Sequence, residues 1–127
     1  SENYAYIGGR SEELDAYILK AYDMEGNHLL TFGEKGKDGD DWLAYVSQIM
    51  EIPEGFFGID ANMRDLYIWG PDASVLGSVE APDLFGARYA WIAGAAKQDD
   101  GSILVALTQD RDDDSATELL LYRLSGF

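Results

Sequence analysis

Apolar positions along this chain fall in short runs rich in Tyr, Ile, Val, Leu and Phe, separated by clusters of Gly, Asp, Asn, Pro and Ser. Short β-branched and aromatic runs between turn-forming clusters predict strands, and many of them predict an all-β domain. Residues 40–50 are the one place where a helix competes. Trp42, Val46, Ile49 and Met50 stand at i, i+4, i+7 and i+8, the spacing of a helix face. The preferred reading there is a strand from about Ala44 onward. Residues 33–41 and 109–117 read as solvated loops. No linker divides the chain.

The pattern repeats. Residues 18–33 (ILKAYDMEGNHLLTFG) lie over residues 65–80 (DLYIWGPDASVLGSVE). Each reads as a strand ending in an aromatic, a turn of about four residues, and a second strand. Tyr22 falls over Trp69, Leu29 over Leu76 and Leu30 over Gly77. Residues 118–127 (ELLLYRLSGF) begin a third copy, with Tyr122 at the aromatic position. A further strand precedes each copy, at residues 4–8, 56–60 and 103–108. Residues 44–52 and 90–96 supply one more strand to the second and third copies. The units span roughly 1–36, 37–82 and 83–127. A repeated antiparallel unit of about four strands and 40–50 residues has the size of a β-propeller blade. One such meander buries too little alone, whereas stacked units bury both faces of each inner strand. The unbroken apolar runs at 56–59 and 103–107 suit strands covered on both faces.

Two segments resemble a known family. Leu29-Leu30-Thr31-Phe32-Gly33, with the Gly-punctuated loop that follows, is similar to the end of an NHL-type repeat. Asp60-Ala61-Asn62-Met63-Arg64, leading into Leu66-Tyr67-Ile68-Trp69, resembles the Asp…Asn-x-Arg turn of the same family. The resemblance implies a relative of the NHL-like or bacterial six-bladed β-propellers. The Pro-x-Gly that opens an innermost strand in that family occurs once, as Pro53-Glu54-Gly55. The third unit stops before a Phe-Gly ending, and the first lacks its opening strand. Three units therefore imply about half of a six-bladed ring, the rest supplied by the remainder of a longer protein or by a homodimer. A β-sandwich is the alternative fold, and it predicts no equivalence among the three units. The apolar run 119–122 beside an open sheet edge invites association.

Composition narrows the chemistry. Among 127 residues there are 24 acids against 9 Lys and Arg, a formal charge of −15. Such a surface repels nucleic-acid phosphates and anionic lipid. The chain has no cysteine, which excludes disulfides, a thiolate nucleophile and Cys-ligated zinc. A single histidine excludes a His-rich metal site within one chain. No apolar run approaches the ~18 residues of a membrane-spanning helix, and no signal-peptide pattern follows Ser1. Acidity and the lack of cysteine fit a protein outside the cytoplasm slightly better than one within it.

The candidate residues are few. His28, at a turn-to-strand junction, reads as an exposed outer-strand residue rather than a general base. The aspartates at 38–41 and at 110–114, Asp110, Asp112 and Asp114 foremost, are the calcium candidates weighed, but they read as solvated loops, with no metal or cofactor expected. Calcium takes six to eight oxygens, and the EF-hand spacing fails because Ser115 and Leu121 stand where Gly and Glu are required. No Gly-x-Ser-x-Gly occurs, and Ser78 and Ser102 have no triad partner in sequence. Tyr22, Trp69 and Tyr122 recur at one repeat position, which points to packing between units. Arg64 reads as a turn residue that satisfies carbonyls or pairs with Asp60. Trp42 and Trp91 have no counterparts in the other units. The leading functional expectation is a non-enzymatic binding scaffold whose loops present a face to a protein, peptide or glycan. The alternative, implied by six-bladed lactonases, is a calcium-dependent hydrolase using Asn3, Glu54, Asp60 and Asn62.

Overall fold

A computed structural model of the chain describes residues 3–34, 42–60, 65–85, 90–110 and 117–125. Among the described residues, ten strands form three antiparallel sheets. The first holds β1 (Ala5–Ser11), β2 (Ala16–Tyr22) and β3 (His28–Phe32) in that order. The second holds β4 (Val46–Ile52), β5 (Gly55–Asp60), β6 (Asp65–Trp69) and β7 (Val75–Glu80). The third holds β8 (Ala90–Lys97), β9 (Ile103–Asp110) and β10 (Thr117–Leu124). Every sheet is a meander, and each lies inside one of the three units read from the sequence.

Over residues 42–50, the described part of the span where a helix competes, no helix forms. β4 takes Val46–Ile52 instead, paired with β5 from Val46↔Asp60 to Ile52↔Gly55. Tertiary pairing overrides a helical spacing that few residues support. One short helix, α1 (Ala81–Phe85), was not expected; it follows β7 directly. The loop read at 109–117 is shorter than expected. Asp110 ends β9 and pairs with Thr117 at the start of β10.

The repeat extends to backbone detail. The ladder between β2 and β3 shifts register at Ala21/Tyr22, and that between β6 and β7 shifts at Ile68/Trp69. These are equivalent positions when Tyr22 is laid over Trp69. The turns that follow are built alike. The Asp23 N–H donates to the Asn27 carbonyl at 3.0 Å and the Gly26 N–H to the Asp23 carbonyl at 3.1 Å. The Gly70 N–H donates to the Ser74 carbonyl at 2.8 Å and the Ala73 N–H to the Gly70 carbonyl at 3.0 Å. Both turns need a left-handed residue, Gly26 at φ 89° and Ala73 at φ 67°. The β8–β9 turn uses the same device at Gln98–Ser102, with Gly101 at φ 86°. An aspartate braces each turn. Asp23 accepts from the Glu25 and Asn27 N–H groups, Asp72 from Ser74, and Asp100 from Ser102. These bonds hold all three carboxyls below the usual aspartate range.

Two cores lie on opposite faces of the second sheet. Leu19, Ala21 and Phe32 of the first sheet meet Val46, Phe56, Tyr67 and Trp69 of the second. Ile52, Phe57, Ile59 and Leu66 of the second meet Ile103, Val105 and Leu107 of the third. Alternate residues of β5 and β6 therefore enter alternate cores, as strand geometry requires. The aromatics interlock in the first core. Trp69 is fully buried, stacks on Tyr67 at 5.2 Å and meets the Phe32 ring edge-on at 5.0 Å. Gly58 makes room for it, because a Cβ there would collide with the Trp69 ring.

Polar bridges join the sheets. The Ala95 N–H of β8, beside the register shift at Ile92/Gly94, donates to Gln48 Oε1 of β4 at 2.7 Å. Buried Asp60, at the end of β5, accepts from the Ala44 N–H at 2.5 Å and the Tyr45 N–H at 3.2 Å. The adjoining Leu43 pairs with Tyr17 of β2. The stretch before β4 is thus pinned to both sheets it connects.

The steric fit of Gly58 and Trp69 is testable by a double-mutant cycle in urea. Gly58→Val is expected to cost roughly 1–3 kcal/mol, the usual range for overpacking. In a Trp69→Leu background the same change costs less, because the ring it strikes is gone. Equal costs in both backgrounds would mean the ring does not limit residue 58.

Candidate functional site

A concavity opens between the second and third sheets, with a volume of about 320 Å³. Phe57, Leu66 and Ile68 line it from the face of β5 and β6 that meets the third sheet. Gly77, Ser78 and Val79 of β7, Leu84 of α1, and Leu124 and Ser125 at the end of β10 complete it. Among the described residues its lining is mainly apolar and holds no titratable side chain. That volume and lining suit an apolar ligand or side chain.

Local sequence explains the opening. Gly77 pairs with Ile68, and nothing lies within 4 Å of where its Cβ would be. Its counterpart in the first unit is Leu30, which pairs with Ala21 and packs against the core shared by the first two sheets. A leucine fills this position between the first and second sheets. A glycine leaves it open between the second and third. The alignment of Leu30 with Gly77 carried that signal, although no ligand site was expected from it. α1 supplies the opposite wall through half-exposed Leu84.

A row of carboxylates crosses one end of the second sheet. Asp60 pairs with Asp65, and Asp65 with Glu80. Asp65 Oδ1 is buried and has no hydrogen-bond partner among the described residues. Burial, then Glu80, then Asp60 hold the Asp65 carboxyl above the usual aspartate range. Among the described residues, no group of three or more His, Asp or Glu side chains is placed to hold a metal ion.

Those residues singled out from sequence that the structure describes are not gathered in one place. Glu54 precedes β5 and Asp60 ends it, so six strand residues set them about 20 Å apart. Asn3 is at the Glu54 end, where its Nδ2 donates to Glu51 Oε1 at 3.0 Å. Asp60 is occupied by the two backbone N–H groups at Ala44 and Tyr45. Asn62, Arg64, Asp112 and Asp114 lie outside the described residues. His28 opens β3 at the sheet edge, exposed, with Nε2 at 2.9 Å from Thr31 Oγ1 and its ring against Tyr22. The Ser102 hydroxyl donates to Asp100 Oδ1 at 2.6 Å as part of its turn. Trp69 and Tyr122 pack in the two cores, and Tyr22 lies on the outer side of the first sheet. Trp42 is about half exposed, and Trp91 belongs to β8.

The carboxylate row makes a pH-dependent prediction. An aspartate whose folded-state pKa is raised favours folding most below its ordinary value of 3.8. That contribution is lost as pH rises through the raised value. Asp65→Asn is therefore expected to be more stable than the wild type at pH 7, by roughly 0.5 kcal/mol for a partly solvated group. The difference closes as pH falls below the ordinary aspartate value. A variant with the same or a lower urea midpoint at neutral pH would rule out carboxylate repulsion as a cost at this position.

A scan of the chain against protein-family models finds no match, and neither does a search of curated proteins.

Proposed function

We propose that this chain is a non-enzymatic binding scaffold of β-propeller type, and that the groove beside Gly77 takes an apolar group of its ligand. The groove carries the reading: about 320 Å³, walled among the described residues by Phe57, Leu66, Ile68, Val79 and Leu84, with Ser125 at its edge. Sites of this kind bind through apolar contact, with a few polar atoms setting orientation. The propeller assignment is supported by three meanders stacked in chain order and by the turn and register shift shared by the first two. A rigid stack with a groove between two of its sheets suits recognition by shape. The ligand class that fits best is a peptide or protein presenting an apolar side chain, and a small apolar molecule would enter by the same contacts.

Gly77 permits a clean test, because a Cβ added there meets nothing within 4 Å. A neutral naphthylamine dye, fluorescent in apolar surroundings, should bind the full chain saturably. Gly77→Leu is expected to weaken dye binding at least about tenfold, a loss of about 1.4 kcal/mol, while the melting temperature stays level or rises. Saturable binding that Gly77→Leu leaves unchanged would place the dye elsewhere and remove the groove from the proposal.

A further inference from the structure

The stretch that carries the chain from the first sheet to the second holds two aromatic rings in solvent. Trp42 is 46% exposed and Tyr45 is 50% exposed, while Leu43 between them is buried in the core the two sheets share. Residues 42–45 precede β4, yet their backbone is fixed at every step. β3 leaves the edge of β2 after the Leu19↔Phe32 pair, and Leu43 takes up that edge by bridging to Tyr17. The Tyr17 N–H donates to the Leu43 carbonyl at 3.4 Å, and the Tyr67 hydroxyl donates to the Trp42 carbonyl at 3.4 Å. Buried Asp60 accepts from the N–H groups of Ala44 and Tyr45. The Tyr45 ring rests against that of Tyr17, their centroids 5.9 Å apart. Rings exposed on a backbone held in this way lose little freedom when a partner covers them, so more of the contact appears as affinity.

The charge around the rings selects the partner. Exposed Glu12, Glu13 and Asp15 lie in the turn that leads into β2, close in sequence to Tyr17. Arg10, at the end of β1, is engaged by Asp15. On the side of the second sheet, Asp60 is followed by Asp65 and Glu80 across neighbouring strands. Burial, then Tyr45, then Asp60 hold the Tyr17 hydroxyl above the usual tyrosine range, so the field of the buried carboxylate reaches these rings. The chain as a whole carries −15. An aromatic face attracts a cation, and a guanidinium best of all, because it is planar, always charged and weakly hydrated. Carboxylates nearby act in the same direction and repel anionic partners.

We propose that Trp42 and Tyr45 form a docking surface for arginine side chains of a basic peptide or protein segment. This surface lies where the first and second sheets meet. It does not rest on the groove beside Gly77, which opens on the opposite face of the second sheet.

The probe is a short capped peptide carrying two arginines, titrated against the full chain by calorimetry. Its control is the same peptide with citrulline in place of arginine, which keeps the planar group and removes the charge. The arginine peptide should bind saturably, and the citrulline peptide at least about tenfold more weakly. Trp42→Ser and Tyr45→Ser leave the net charge unchanged, so general attraction to an acidic chain is the same in both. Each is nevertheless expected to weaken arginine-peptide binding at least about fivefold, with unchanged circular dichroism because both rings are half exposed. Tyr45→Phe keeps the ring and should keep the affinity. Leu76→Ser, at an exposed position on β7, should leave binding unaltered. Binding that survives the loss of both rings in a folded chain would overturn the proposal, since charge alone would then account for it. Equal affinity for the citrulline peptide, or no binding of the arginine peptide at millimolar concentration, would also overturn it. So would binding of a neutral glucan oligosaccharide that requires both rings while the arginine peptide does not bind, which would assign the surface to a glycan.

Discussion

The second sheet has no solvent face across its inner strands, and this constraint organises the rest of the molecule. Phe56, Tyr67 and Trp69 enter one core while Phe57, Ile59 and Leu66 enter the other. A strand buried on both sides must be apolar at successive positions, and it must have a sheet against each face. Neither flanking sheet can be removed without exposing a row of large side chains. Asp60 is the exception within β5. Its carboxylate is tolerated in the interior because two backbone N–H groups donate to it. Those bonds hold the chain where it passes from the first sheet to the second, so a buried charge contributes to the stacking order.

The two cores are not equally filled. Between the first and second sheets, aromatic rings interlock, Gly58 admits the Trp69 ring, and Leu30 occupies the position equivalent to Gly77. Between the second and third sheets the side chains are mostly aliphatic, and Gly77 leaves a groove that α1 walls from the side. The same architecture thus yields a packed interface and a cleft from one difference at an equivalent position. Protein interiors rarely leave space of this size unfilled. A groove beside an otherwise continuous core is therefore the feature of this fold best suited to bind something.

Strand runs, turn chemistry and the repeat were legible in the residues themselves. Alternating and continuous apolar runs placed nearly every strand, and the aromatic at Tyr22, Trp69 and Tyr122 set the correspondence that the shared register shift of the first two units follows. These are local properties, encoded within a few residues. The choice of β4 over a helix at 40–50 was settled by its pairing partner β5, which lies outside any local window. The wide separation of Glu54 and Asp60, the row of Asp60, Asp65 and Glu80, and the groove depend on which strands lie side by side and which faces meet. The identities of Leu30 and Gly77 were plain in the sequence, but only the stacking of sheets turned the missing side chain into a cavity. A side chain's absence acquires meaning from the surfaces around it, and those come from parts of the chain far apart in sequence.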